Sequence, residues 1–280
     1  MKICRTVEDM RRVVAGLRRR GGRIALVPTM GALHAGHMAL VDRARAAAGH
    51  VVVSIFVNPT QFGNPEDLEK YPQTPDEDHA RLRAAGVAAV FAPAPAEMYP
   101  PGEETIVETT RLANRLHGLT RPGHFRGVTT VVCKLLNIIG PDVACFGEKD
   151  YQQLVAIRRM VADLFLPVEI IGVPTVREAD GLAMSSRNLR LTPGDRAAAV
   201  VLSQALTLAG ALVARGTTVA ALKESVARCI SAEPRADLKA VDVTAPDLSP
   251  VSGPVVTPVA LMVSAAFGGI LLIDQRVIHP

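Results

Sequence analysis

The sequence predicts an α/β protein in which a doubly wound parallel sheet is followed by a second, smaller α+β domain. Three observations carry that expectation. Short apolar runs rich in valine and isoleucine alternate with longer stretches at helical spacing as far as Val173. Glycines and prolines stand at the joints, where they end one element and open the next. From Pro174 the alternation stops, and two helical stretches precede three strand-like runs. A chain of 280 residues has material for two cores, and the expected boundary gives domains of 1–175 and 176–280.

Taken in order, Thr6 and Asp9 have the spacing of a capping box, and Met10, Val13, Val14 and Leu17 form the apolar stripe of a first helix ended by Gly21 and Gly22. Residues 24–27 read as a buried strand that Pro28 stops, since proline offers no ladder donor. Gly31 turns the chain into a helix over 35–48, with Met38, Val41, Ala44 and Ala48 near helical spacing. The β-branched run 51–57 is a second strand, ending at Asn58-Pro59-Thr60-Gln61. A helix over 76–85 carries acidic residues in its first turn, where they suit the dipole. A strand over 87–91 and a loop over 92–102 with four prolines follow. Gly123 opens a long apolar helix through Ile139 that Pro141 breaks; then come a strand over 143–146, a helix over 151–166 and a strand over 168–173.

The stretch 176–188, VREADGLAMSSRN, lacks regular periodicity and reads as a hinge and functional loop. Helices over 195–215 and 219–230 and strands over 238–243, 259–263 and 270–273 complete the chain. Residues 255–273 are almost wholly apolar, but Pro258, Ser264 and Gly268-Gly269 punctuate them as two core strands and a turn, not a membrane span. The N-terminus lacks the apolar core of a signal peptide. Cys4, Cys133, Cys145 and Cys229 stand far apart with no C-x-x-C, which points to a reducing, cytoplasmic compartment. A net charge of +4 without tryptophan argues against a base-stacking nucleic-acid surface.

In a parallel sheet, ligands collect beyond the carboxyl ends of the strands, and several polar residues fall there. His34 and His37, three apart at a helix start, project toward one small volume at the positive end of the dipole, a ready phosphate site. Gly36 between them leaves room for a ligand. The same pair also suits a solvated helix end, and a metal site would need a third ligand that no motif supplies. Lys149 and Asp150 follow the fourth of these strands, and Ser185, Ser186 and Arg187 lie in the interdomain loop. Imidazole, ammonium, guanidinium and hydroxyl donors with few carboxylates suit a triphosphate and phosphoryl or nucleotidyl transfer. Asp150 either binds a ribose hydroxyl or holds Lys149.

Four motifs go further: Pro28-Thr29-Met30-Gly31-Ala32-Leu33-His34-Ala35-Gly36-His37; Phe56-Val57-Asn58-Pro59-Thr60-Gln61-Phe62; Phe146-Gly147-Glu148-Lys149-Asp150-Tyr151-Gln152-Gln153-Leu154; and Met184-Ser185-Ser186-Arg187-Asn188. Together they closely resemble the pantothenate synthetase (pantoate–β-alanine ligase) family of the HxGH nucleotidyltransferase superfamily, strongly from Ile24 to Leu191 and loosely beyond. The resemblance implies a Rossmann-like first domain with a small lid, a homodimer, and ATP-dependent condensation of pantoate with β-alanine through pantoyl adenylate. Mg²⁺ would bridge the phosphates of ATP. His34 and His37 would hold those phosphates beside Gly36, with Met30 also against the ATP, while Lys149, Ser185, Ser186 and Arg187 grip the departing pyrophosphate. Gly147 and Asp150 would take the ribose, and Val176 and Met184 the adenine. Met30, Gln61 and Gln153 would hold pantoate, with Val131, Val132 and Phe146 against its methyl groups and His124 in the same pocket. Thr60 stands where the family commonly has methionine, Ala35 where it has glutamate, and Glu77 where it often has aspartate. Another nucleotidyltransferase with the same histidine signature, and a non-catalytic ATP-binding protein, are the alternative readings.

Overall fold

The computed structural model describes residues 1–63 and 65–280. Two compact units divide the chain: Met1–Gly147 with Gln152–Val173, and Glu148–Tyr151 with Pro174–Pro280.

The first unit is built on β1 (Lys2–Cys4), α1 (Val7–Arg19), β2 (Ile24–Thr29), α2 (Ala35–Ala47), β3 (His50–Ile55), α3 (Pro65–Glu69), α4 (Pro75–Ala84), β4 (Ala89–Phe91), α5 (Pro95–Met98), α6 (His117–Thr120), α7 (His124–Ile139), β5 (Val143–Gly147), α8 (Tyr151–Asp163) and β6 (Glu169–Val173). Its six strands pair in the order β1-β4-β3-β2-β5-β6, and every pairing is parallel. Strand period and burial explain the two faces. Ile24 and Leu26 of β2 join a core with Met10, Leu135, Leu136 and Ile157, from α1, α7 and α8. Ala25 and Val27 pack on the opposite face with Val41, Ala44 and Leu82, from α2 and α4. A strand covered on both sides must be apolar at consecutive positions, which is why these runs lack alternation. β2 lies between β3 and β5, so the strand order reverses at its carboxyl end, where such sheets bind ligands.

The expected alternation is confirmed, with one strand added. Lys2–Cys4 pairs with Ala89–Phe91 as a three-residue edge strand, too short for its pattern to stand out. Thr6 caps α1, its hydroxyl accepting from the Asp9 N–H at 3.1 Å.

The second unit holds α9 (Pro193–Ala198), α10 (Val201–Ala214), α11 (Val219–Ser231) and an antiparallel sheet of β7 (Asp237–Thr244), β8 (Val259–Phe267) and β9 (Ile270–Ile278), in the order β7-β8-β9. All nine residues of β8 are buried, and Leu206, Val226, Leu261 and Phe267 share its core. The apolar run at 255–273 is therefore a hairpin, turned at Gly268 and Gly269, both at positive φ. Its second strand continues to Ile278, past the expected end, because Asp274 and Gln275 are polar yet buried. Pro193–Ala214 is long and apolar enough to cross a membrane by length and composition, but Leu202, Ala205, Leu206, Ala209 and Val213 on it are buried in this unit's core. All four cysteines are free thiols, and burial pushes Cys145 up to about 11.

Candidate active site

The turn from β2 into α2 is shaped by backbone demands. Gly31 has φ +85°, and a Cβ there would lie 3.1 Å from a carboxylate oxygen of Asp78. Ala32 takes φ +50°, a left-handed conformation that a residue with a Cβ adopts at a cost. Asp78 of α4 holds the turn: its two oxygens accept from the Ala32 N–H at 2.9 Å and the Leu33 N–H at 2.8 Å. The Thr74 hydroxyl donates to the same carboxylate at 3.1 Å. The sequence places Asp78 only in a favourable helix first turn; the fold gives it this further role, 1% exposed.

His34 is the N-cap of α2. Its Nδ1 accepts from the Gly36 N–H at 3.1 Å, and the Nδ1 of His37 accepts from the His34 N–H at 3.2 Å. The two rings lie 4.1 Å apart between centroids. Because both Nδ1 atoms accept, the proton of each neutral ring is on Nε2. Two imidazole N–H donors thus stand at the positive end of a helix dipole, a geometry suited to phosphate oxygens.

The 3₁₀ turn Pro59–Gln61 after β3 carries a second polar set. Asn58, 1% exposed, donates from Nδ2 to Gln61 Oε1 at 3.0 Å and to Gly127 O at 3.2 Å. Gln61 Nε2 lies 3.2 Å from Met30 Sδ. His124 Nδ1 lies 2.8 Å from Gln61 O, and its Nε2 lies 3.2 Å from the Arg121 guanidinium. A carbonyl only accepts and an arginine only donates, so His124 carries its proton on Nδ1. Gly127 is required here, since a Cβ would come within 2.5 Å of Thr60 O. Val131, Val132 and Phe146 are buried in the same unit's core, while Gln153 is half-buried in the first turn of α8. Its neighbour Gln152 is structural: it donates to Leu112 O and Arg115 O at 2.8 and 2.7 Å and accepts from the His117 N–H.

In the second unit, Lys149, Ser185, Arg187, Asn188 and Asp274 line one small recess. Lys149 Nζ is 3.3 Å from Asp150 Oδ2, so Asp150 holds Lys149 here, and the ribose hydroxyl remains the other role open to it. Ser185 caps the 3₁₀ turn Ser186–Arg190, accepting from the Arg187 N–H at 3.3 Å, and Ser186 is buried. The Met184 N–H donates to Val176 O at 2.9 Å, which brings the two expected adenine-lining residues together.

The loop 176–188 is more ordered than its missing periodicity suggests. Arg177 forks onto Asp274 at 2.6 and 2.9 Å and donates to Gly181 O. Arg196 bridges Glu178 and Asp180 at 2.7 and 2.8 Å, and Asn188 donates to Glu178 at 3.0 Å. Sequence reasoning missed Arg177, Asp274, Glu178 and Asp78 because each acts on a backbone or partner that only the fold brings near. The buried Asp in the apolar β9 run was the signal available for Asp274.

A parallel sheet with a histidine-capped helix at its switch point defines a class, the α/β enzymes that bind phosphate groups at a strand end. Within it, the sequence pattern of pantoate-beta-alanine ligase matches residues 2–277, and the chain belongs to that family. Pantothenate synthetase of Agrobacterium fabrum is 50% identical over 280 residues, covering 99% of this chain and 96% of the relative. The crystal structure of pantothenate synthetase from Thermus thermophilus superposes with a TM-score of 0.94 at 44% identity, covering 100% of both chains. That of pantoate-beta-alanine ligase from Francisella tularensis, complexed with beta-gamma ATP and beta-alanine, has a TM-score of 0.82 at 33% identity over 99% of this chain and 97% of that one.

Proposed function

We infer that this chain joins pantoate to β-alanine at the expense of ATP, forming the amide bond of pantothenate. The family match over residues 2–277 carries this conclusion. The relative solved with beta-gamma ATP and beta-alanine supports the nucleotide and the amine as ligands.

A carboxylate is a poor acyl donor, so the reaction runs in two displacements. The pantoate carboxylate attacks the α-phosphorus of ATP, giving pantoyl adenylate as pyrophosphate leaves. The β-alanine amine then attacks the activated carbonyl and expels AMP. His34 and His37 direct Nε2–H donors at phosphate oxygens, stabilising charge as it builds there. Gly36 leaves that approach open. Lys149, Ser185, Ser186 and Arg187 serve the departing pyrophosphate, Gly147 and Asp150 the ribose, and Val176 with Met184 the adenine. Met30, Gln61, Gln153 and His124 serve pantoate, whose methyl groups meet Val131, Val132 and Phe146.

Among the described residues, no group of three or more His, Cys, Asp or Glu could hold a metal, and both Asp78 oxygens accept from backbone N–H groups. Mg²⁺ would enter this scheme with ATP, supplying positive charge against the triphosphate. A cytoplasmic homodimer is the state the family resemblance implies, and sedimentation of the purified protein tests the dimer.

Exchange of labelled pyrophosphate into ATP, with pantoate present and β-alanine absent, tests the first displacement. Exchange that needs pantoate establishes the adenylate step and its carboxylate substrate. Exchange without pantoate, or none in folded protein supplied with Mg²⁺, removes that step from the scheme.

A further inference from the structure

Gln61 is an amide, and an amide can meet a ligand either with its carbonyl oxygen or with its N–H₂. Asn58 decides which. Two of its neighbours leave Asn58 itself only one orientation: Gly127 O, 3.2 Å from Nδ2, can only accept, and the Thr60 N–H, 3.4 Å from Oδ1, can only donate. Nδ2 then also faces Gln61 Oε1 at 3.0 Å and engages it as an acceptor. The Gln61 carbonyl is thereby occupied within the protein, and its N–H₂ is the end turned toward Met30 Sδ.

Two hydroxyls complete the other side of Asn58. The Tyr99 hydroxyl donates to Oδ1 at 2.7 Å, and the Thr60 hydroxyl donates to the same atom at 3.0 Å. The hydroxyls lie 3.2 Å from each other. Tyr99 is fixed independently of this network: its ring packs against Phe56 at 6.2 Å, and the Lys134 ammonium sits over the ring, 4.4 Å from its centroid. A rigid aromatic thus presents one hydroxyl to the buried Asn58 amide, which presents its N–H₂ to the Gln61 amide. Thr60 supplies a second hydroxyl to the same oxygen, one that an apolar side chain there would lack.

We propose that Tyr99 and Thr60 are positioning residues for this ligation, holding Asn58 so that Gln61 offers N–H donors, not its carbonyl, to the carboxylate and hydroxyl oxygens of pantoate. The inference rests on the assignment of Gln61 to the pantoate pocket. It explains why the amide is held so firmly: a carboxylate substrate meets repulsion from a flipped carbonyl and attraction from an N–H₂.

The test is the pantoate-dependent exchange of pyrophosphate into ATP by Tyr99→Phe, Thr60→Val, the double variant and Gln61→Ala, with the KM for each substrate, kcat and Tm recorded. Tyr99→Phe keeps the ring, the Phe56 packing and the Lys134 contact and removes only the oxygen. It should raise the pantoate KM about two- to tenfold, the effect of one lost hydrogen bond, with the ATP KM unchanged. The double variant leaves Asn58 Oδ1 only the long bond from the Thr60 N–H and should raise the pantoate KM beyond either single change. Selective loss of pantoate affinity with kcat retained is the signature of lost ground-state positioning. If Gln61→Ala raises the pantoate KM while the double variant does not, the positioning role is overturned and the pocket assignment stands. If Gln61→Ala leaves the pantoate KM unchanged, the pocket assignment falls and takes this inference with it. Parallel rises for ATP and pantoate with a lowered Tm would mark general loosening and also overturn it.

Discussion

At the scale of single residues, the site uses neighbours in sequence to fix proton positions and charges. The Gly36 N–H sets the tautomer of His34 and the His34 N–H sets that of His37, and Asp150 steadies the adjacent Lys149 ammonium at 3.3 Å. These features were legible in the sequence because their chemistry is local: three-residue spacing at a helix start, or two charged neighbours. Asp78 was not legible, since the N–H groups it binds are 45 and 46 residues away. Lys149 has only 18% of its side chain exposed, in a recess shared with Ser185 and Arg187, and its partner Asp150 is half-exposed, so little of the fold depends on the pair. Lys149→Ala should therefore lower exchange turnover by roughly 10²–10³, as for loss of one transition-state donor, with Tm nearly unchanged. Melting and exchange measured on the same preparation check this; a fall in Tm matching the lost activity would reassign Lys149 to stability.

At the scale of elements, the alternation of buried runs and amphipathic stretches gave the parallel sheet correctly because its inner strands β2, β3 and β5 are buried almost throughout. It could not give β1, three residues long, nor the length of β9, whose inward Asp274 and Gln275 break an apolar run without ending the strand. The internal order of the loop 176–188, read from the sequence as a hinge and functional loop, was not legible for a related reason: it comes from ion pairs, which have no period. The pair Arg177–Asp274 is the strongest of them, two-pronged with Asp274 2% exposed. Removing one partner of a buried pair leaves the other charge without compensation and costs about 3–5 kcal/mol. Asp274→Ala should lower the unfolding free energy by that amount, read as a lower denaturant midpoint at constant m, and the ATP KM should rise because Ser185 to Arg187 lie in the loop that Arg177 anchors. Equilibrium unfolding with the exchange assay tests both. A lowered midpoint with an unaltered ATP KM would confine the pair to stability.

At the scale of the whole molecule, three carboxylates of the second unit are held in their charged form by neighbouring donors. Asp180 is kept below the usual carboxylate range by its hydrogen bond from Arg196, Asp195 by the Thr192 hydroxyl and then Arg235, and Asp247 by Ser249. All three belong to the second unit. A carboxyl whose pKa is lower folded than unfolded takes up a proton on unfolding. Its stabilisation is complete above the unfolded value, about 4, and is lost as pH falls through the lower folded value. The Arg196 guanidinium, raised in turn chiefly by Asp180, stays charged throughout and loses its Asp180 partner over the same window. Acid should therefore loosen residues 174–280 ahead of the parallel sheet. Backbone hydrogen exchange read by mass spectrometry at pH 5, 4 and 3 resolves this: protection should fall first in β7, β8, β9 and α10, with β2, β3 and β5 holding longer. Asp180→Asn should flatten part of that pH dependence, since an amide cannot take up the proton. Loss of protection in β2 and β3 at the same pH as in β8, or before it, would show that the acid sensitivity belongs to the sheet and not to these three carboxylates.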